Sequence, residues 1–156
     1  MNKTNVMRLL DAAGIAYRTA EYDYDESDLS GVHAAEAVGM PPEQMFKTLV
    51  ARGERTGLQV FCIPVAETLD LRKAARAAGD KKIELIHVRE LLPTTGYVRG
   101  GCSPIGMKKR LPTHIDETAQ LFDEISVSAG ARGCQVLLAP DALLEYVGAD
   151  YCDLTE

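Results

Sequence analysis

The sequence predicts an α/β fold of the α+β type: one domain with a mixed, largely antiparallel, barrel-like β-sheet core surrounded by helices. Three observations carry that prediction. Two pairs of apolar runs are joined by glycine-containing turns, 46–52 with 58–65 and 125–128 with 134–138, and each pair reads as a hairpin. Helical stretches stand among these runs without the regular βαβ alternation of a parallel sheet. The chain has 156 residues, 46% of them apolar, which suits a single domain spanning 1–156 with its own core.

The elements follow in order. Residues 4–13 form an amphipathic helix, because Val6, Leu9, Leu10 and Ala13 recur at helical spacing and Gly14 can end it. Residues 15–22 read as a strand, and the acidic stretch 23–29 as a loop. Ser30 can cap a helix that runs to Val38 and stops at Gly39. Pro41 and Pro42 open a further helical turn, since proline suits the first helical positions. After the first hairpin, 70–78 is rich in Ala, Leu, Arg and Lys and reads as a helix ended by Gly79. A short strand at 83–86 and a short helix at 88–92, stopped by Pro93, come next. Residues 96–112 are dense in Gly and Pro and read as a loop. A strand at 113–116 leads into a helical turn, the second hairpin follows, and 141–147 is a closing helix after Pro140.

Composition excludes several classes. No apolar run reaches the ~18 residues of a membrane span, and the polar start, 1–11, has no leader-like apolar core, so neither membrane nor secretion is expected. Cys62, Cys102, Cys134 and Cys152 are far apart, as are His33, His87 and His114, so no metal site is expected. Reduced thiols in a cytoplasmic protein are the simplest account. The net charge of −6 is uneven: residues 70–110 carry +6 and the rest −12. A basic segment on an acidic body is either a solvated face or an anion-binding one.

Three stretches can carry chemistry. The first is the loop Gly96 to Arg110, with Gly100, Gly101, Cys102, Ser103 and Pro104 ahead of the basic Lys108, Lys109 and Arg110. Glycines let main-chain amides approach an oxyanion or phosphate closely. The loop follows neither the Walker order nor the dinucleotide fingerprint. Cys102 invites a thiol nucleophile, yet no base stands near it in sequence, and a small buried cysteine is the plainer reading. The second stretch is Lys47 and Thr48 at the start of an apolar strand; alone, such a lysine is usually a solvated strand end. The third is Arg72, Lys73 and Arg76 on one helix face, followed by Lys81 and Lys82, a cluster suited to phosphates or to plain solubility.

Taken together, these residues resemble the YbaK/EbsC family, freestanding relatives of the editing domain inserted in bacterial prolyl-tRNA synthetase. The resemblance rests on Phe46-Lys47-Thr48-Leu49-Val50, Ile63-Pro64-Val65, the run 69–75, Lys81-Lys82-Ile83-Glu84, the run 95–113, Ile115-Asp116 and the run 127–133, in that order over nearly the whole chain. It implies the YbaK-type fold of synthetase-associated editing domains and a deacylase that removes cysteine from mischarged Cys-tRNA(Pro), or Cys-tRNA(Cys). The family's key lysine falls on Lys47 and its GxxxP loop on Gly100 to Pro104, with Gly100 and Gly101 in the catalytic part. Tyr22, Leu29, Ser30, Thr48, Cys102, Ser103 and Pro104 would shape the substrate pocket. Leu29 and Ser30 stand where relatives carry an aromatic residue, which alters the pocket wall.

The implied partners are the acceptor end of a mischarged tRNA, gripped by Arg72, Lys73, Lys81, Lys82, Lys108, Lys109 and Arg110, and prolyl-tRNA synthetase. No cofactor, DNA or membrane is called for. The implied chemistry is attack of the substrate's own thiol on its ester. Two alternatives stand beside it: a deacylase for Ala-tRNA(Pro) or another small amino acid that uses water, and a non-catalytic tRNA- or synthetase-binding module.

Overall fold

Alternation along one strand explains how the core is divided. In the computed structural model, which describes residues 2–156, the run Gly57–Pro64 forms β3 and is paired on both edges. A strand sends successive side chains to opposite faces. Val60 and Cys62 accordingly enter the main apolar cluster, whereas Phe61 and Ile63 enter a second one. Burial on both faces is why this strand reads as continuous apolar sequence.

The hairpin partner of β3 is β2, Phe46–Gly53. On its far side β2 pairs antiparallel with β4, Ile83–Leu85, and only from Ala51 to Gly53. On its other edge β3 pairs parallel with β5, Thr113–Asp116, which pairs parallel with β8, Asp150–Cys152. The five-stranded order is β4-β2-β3-β5-β8. A second sheet, fully antiparallel, has the order β1-β7-β6, from Arg18–Glu21, Cys134–Leu138 and Ile125–Ser128. Among the described residues, one parallel bridge, Met45 to Ser126, joins the sheets. The main apolar cluster draws on both of them and on the helices α1, Asn5–Ala12, and α5, Pro140–Val147.

The helix ends follow local chemistry. Thr4 accepts from the Met7 amide at 3.3 Å and starts α1. Ser30 accepts from the His33 amide at 3.2 Å and starts α2, Gly31–Val38. Asp70 accepts from the Arg72 and Lys73 amides and starts α3, Leu71–Ala78, whose Ala74 and Ala75 pack in the second cluster. Each is a hydroxyl or carboxylate cap on otherwise unpaired N–H groups. Asp80, just past α3, accepts from the Arg55, Thr56 and Lys81 amides and ties that helix end to the β2–β3 turn.

The mixed α/β architecture matches the sequence-based expectation, with four local differences. The sheet is two sheets. Strand β1 begins at Arg18 rather than at 15, because the Gly14 and Ile15 amides still close the end of α1 on Asp11 and Leu10. Helix α4, Val88–Thr95, runs through Pro93 instead of stopping there. The proline deprives only the Arg89 carbonyl of its donor, on an exposed turn where water can replace it. Finally, β8 was absent from the expectation: three residues carry no pattern of their own, and their pairing to β5 is non-local. No helix among the described residues is long and apolar enough to cross a membrane.

Candidate active site

A cleft of about 440 Å³ opens where β2 lacks a strand partner. Ile86 N donates to Val50 O at 3.1 Å; between that contact and the Met45–Ser126 bridge, no strand among the described residues pairs with this edge of β2. Phe46 and Val50 are buried and anchor the strand, while Lys47, Thr48 and Leu49 are half-buried along the cleft. Lys47 makes no ion pair or hydrogen bond among the described residues. Burial holds its ammonium pKa below the ordinary lysine value, against the partial support of Glu67. Thr48 Oγ1 sits 3.9 Å from Cys62 Sγ, beneath the cleft.

The opposite wall is the glycine loop. Gly100 has φ +86°, a conformation that costs any other residue strain, and a Cβ there would meet Leu29 at 3.4 Å. Gly101 N donates to Val98 O at 3.0 Å. A Cβ on Gly101 would lie 3.2 Å from the Ala131 carbonyl carbon. The loop is tied down by Arg132 Nε on Arg99 O (2.8 Å) and by Tyr97 Oη on Ile105 O (2.5 Å). The Gly100 and Cys102 amides have no partner among the described residues, and both residues line the cleft. Burial pushes the Cys102 thiol up to about 11, against a weaker lowering by Thr95. That thiol is protonated at neutral pH and a poor nucleophile.

The cleft brings together Lys47, Thr48, Tyr22, Leu29, Ser30, Gly100 and Cys102, which lie far apart in sequence. Three expected residues are elsewhere. Gly101 is buried against the β6–β7 turn, and its amide is engaged. Ser103 is fully buried, its hydroxyl accepting from Ile105 N at 3.3 Å. Pro104 is buried and borders a separate pocket beside Arg110. These three back the loop rather than line the cleft.

None of the expected RNA-contacting cations lines the cleft. Lys73 Nζ is held by Asp153 (3.0 Å) and the Thr155 carbonyl (2.6 Å), and Lys82 pairs with Glu84 at 3.4 Å. Arg72 and Lys81 are exposed near α3. Lys108 reaches the Pro93 carbonyl at 3.4 Å. Lys109 and Arg110 border the pocket beside α5, and Arg110 approaches Gly148 at the end of that helix. The arginine at the cleft is Arg99, which its place beside Gly100 could have revealed. Other residues that sequence reasoning missed include Leu85, His87, Val88 and Leu91 along one wall and Ser128 and Gln135 from the second sheet. Polar side chains at 126, 128 and 135 were a signal inside otherwise apolar strands; Ser126 Oγ lies 2.8 Å from Gln135 Oε1.

Away from the cleft, β5–β8 pairing gathers His114, Asp150 and Cys152, whose ligand-type atoms lie within 4.8 Å of one another. Sequence spacing did not foresee this grouping. Both imidazole nitrogens are already engaged, one by Asp150 at 2.6 Å and the other by Gln59 at 2.9 Å.

A model of the aminoacyl-tRNA editing domain matches residues 29–146, from the Leu29 wall through Lys47 and the glycine loop to the second sheet. The chain belongs to the aminoacyl-tRNA editing domain family. A protein of Enterococcus faecalis (strain ATCC 700802 / V583) named "Putative Cys-tRNA(Pro)/Cys-tRNA(Cys) deacylase EbsC" is 46% identical over 153 residues, 98% of this chain and 93% of that one. A solved structure described as "a putative trans-editing enzyme for prolyl tRNA synthetase" is 29% identical, with TM-score 0.84 over 100% of this chain and 99% of its own. The hypothetical protein APE2540, 22% identical with TM-score 0.88 over 98% and 100%, shares the fold. The resemblance to the YbaK/EbsC family drawn from the sequence is thereby borne out.

Proposed function

We propose that the chain, acting as one editing unit over 1–156 in the cytoplasm, is a trans-editing deacylase that removes cysteine from Cys-tRNA(Pro), and from Cys-tRNA(Cys). The observation that carries this reading is Lys47: a half-buried ammonium without a hydrogen-bond or ion-pair partner among the described residues, in the same cleft as the Gly100 and Cys102 amides, which likewise have none there. Such an arrangement favours charge that develops on an ester, and it offers no ready nucleophile of its own. The Enterococcus relative's name supports the choice of cysteine.

The proposed step uses the substrate's thiol. Its sulfur attacks the ester carbonyl carbon, and a C–S bond forms as the C–O bond to the ribose breaks. The thiol proton ends on the departing ribose oxygen. The products are a cyclic thiolactone, later opened by water, and free tRNA. Intramolecular attack avoids an entropy cost that reaches ~11 kcal/mol in favourable cases. Gly100 and Cys102 N–H groups hold the developing oxyanion. Lys47 steadies the ribose oxygen and the neighbouring phosphate, while Tyr22, Ser30 and Thr48 border the aminoacyl group. Gly101, Ser103 and Pro104 hold the loop in shape. Arg72, Lys81, Lys109 and Arg110 remain candidates for tRNA contacts beyond the acceptor end, and prolyl-tRNA synthetase is the enzyme whose errors would be corrected.

A second reading follows from Leu29, which narrows the pocket beside Gly100: a small side chain such as alanine, with water as the attacking group. Purified protein assayed on Cys-tRNA(Pro), Cys-tRNA(Cys), Ala-tRNA(Pro) and Ser-tRNA separates the two. Fast turnover of the cysteinyl tRNAs with slow turnover of Ser-tRNA is expected. Equal rates on Cys- and Ser-tRNA would overturn the thiol-assisted step, and binding without turnover would leave a non-catalytic module.

A further inference from the structure

Parallel pairing at the edge of the five-stranded sheet sets three different ligand types on one face. His114 of β5 and Asp150 of β8 are register partners, and Cys152 lies two residues on, where a strand returns its side chain to the same face. Imidazole, carboxylate and thiol meet there with their ligand-type atoms within 4.8 Å of one another. None of the three lines the cleft around Lys47.

The imidazole is fixed from behind. Its ring stacks on Phe61, with centroids 5.1 Å apart and planes 24° from parallel, and Nε2 lies 2.9 Å from the side-chain oxygen of the buried Gln59. An amide oxygen only accepts, so Nε2 carries hydrogen and Nδ1 is the nitrogen turned toward Asp150. Metal centres orient a ligand histidine in this way, through a hydrogen bond from its other nitrogen. Nδ1 and the Asp150 carboxylate approach to 2.6 Å. Two lone-pair atoms that close need a cation between them, either a proton or a metal.

We propose that His114 Nδ1, the Asp150 carboxylate and the Cys152 sulfur bind a zinc ion, with water in the fourth position, and that the ion clasps β8 to β5. One thiolate and one carboxylate balance the double charge of the ion. A nitrogen, oxygen and sulfur donor set suits zinc, whereas calcium and magnesium take oxygen. The surroundings are negative as well. The Cys152 sulfur feels the charge of Asp150, Glu117 and Asp116, and among the described residues no lysine or arginine pairs with these carboxylates. Asp116 is not a ligand, because its two oxygens are taken by the Leu154 and Thr118 amides. Tetrahedral zinc spaces its ligand atoms about 3.3–3.8 Å apart, so Nδ1 and Asp150 part slightly while the sulfur closes in. The Asp150 side chain, 60% exposed, is free to make that move and leaves a way in from solvent. The proton between Nδ1 and Asp150 and the proton of the thiol leave to water as the metal enters. A three-residue edge strand that pairs with β5 alone has few bonds of its own, and the ion adds a cross-link.

The test titrates zinc alone into metal-stripped, reduced protein and uses cobalt as the spectroscopic probe. It involves no turnover, so its result is independent of the deacylase reading. One equivalent of zinc per chain is expected, with a Tm above that of the stripped protein. Cobalt is expected to give a thiolate charge-transfer band and the strong visible bands of a four-coordinate site. Cys152→Ser and Asp150→Asn, both outside the buried core, are expected to keep the fold and to weaken zinc about a hundredfold, and Gln59→Leu to weaken it about tenfold. Cys134→Ser is expected to leave zinc affinity and the cobalt spectrum unchanged. Zinc uptake that Cys152→Ser retains, a cobalt spectrum without the thiolate band, or a Tm and metal content that zinc does not raise would each overturn the proposal and leave a proton between His114 and Asp150.

Discussion

Leu29 packs on Gly100, 3.4 Å from the position where a Cβ would stand. One wall of the pocket is therefore a side chain from the β1–α2 loop pressed on a glycine of the opposite loop. Gly100→Ala forces a left-handed conformation on alanine, about 1 kcal/mol in stability, and pushes on Leu29. The deacylation assay is expected to lose about tenfold or more in kcat/KM. Leu29→Ala relieves the wall, and its expected signature is faster turnover of bulkier aminoacyl-tRNAs with cysteine nearly unchanged.

The role proposed for Lys47 implies a pH profile. Activity that needs its ammonium falls as pH rises through a pKa below the ordinary lysine value. The substrate thiol, near 8.5 in model compounds, supplies a rising limb as it ionises. The expected kcat/KM profile on Cys-tRNA is a bell. Lys47→Ala is expected to abolish turnover, while Lys47→Arg, whose guanidinium stays charged throughout, is expected to retain activity and to remove the alkaline fall. An unchanged fall in Lys47→Arg would assign that limb to another group.

Cys102→Ser is expected to keep kcat/KM on Cys-tRNA within about threefold. Burial keeps that thiol protonated, with a pKa pushed to about 11, and the contribution proposed for Cys102 is its main-chain amide. A dead Cys102→Ser enzyme with normal melting behaviour would point to covalent catalysis.

Tyr97 holds the loop through its hydroxyl on the Ile105 carbonyl, 2.5 Å away. Tyr97→Phe removes one hydrogen bond, about 1 kcal/mol, without touching the cleft. Thermal unfolding is expected a few degrees lower, and kcat is expected to fall more than KM rises.

Asp80 makes the β2–β3 turn acid-sensitive. Its carboxylate, held far below the usual range chiefly by the Thr56 amide and also by Arg55 and Lys81, stabilises the fold fully above about pH 4. That stabilisation is lost as pH falls through the depressed folded-state pKa. The Tm of Asp80→Asn is expected to be lower at neutral pH and to change less between about pH 4 and pH 2 than that of the parent.

Local signals account for what the sequence revealed. Ser30, Asp70 and the β2–β3 apolar runs announce their elements within a few residues, and Lys47 and Gly100 stand out by residue type. What stayed hidden depends on distant pairing. Strand β8 exists because β5 accepts it, and Lys73 is paired with Asp153 and donates to the Thr155 carbonyl, some eighty positions on. The α4 side of the cleft reads as ordinary strand and helix until β4 stops short, pairing with β2 only from Ala51 to Gly53. Pro93 misled for a physical reason: an exposed carbonyl tolerates the missing donor.

The bridge between Met45 and Ser126 is a narrow seam, and the candidate machinery straddles it. Lys47 rides on the five-stranded sheet, while Ser128, Gln135 and the turn that backs Gly101 belong to the other. A small slip between the sheets would separate the ammonium from the loop while most backbone pairing survives. In rising denaturant, catalysis should therefore fade before circular dichroism registers any loss of structure.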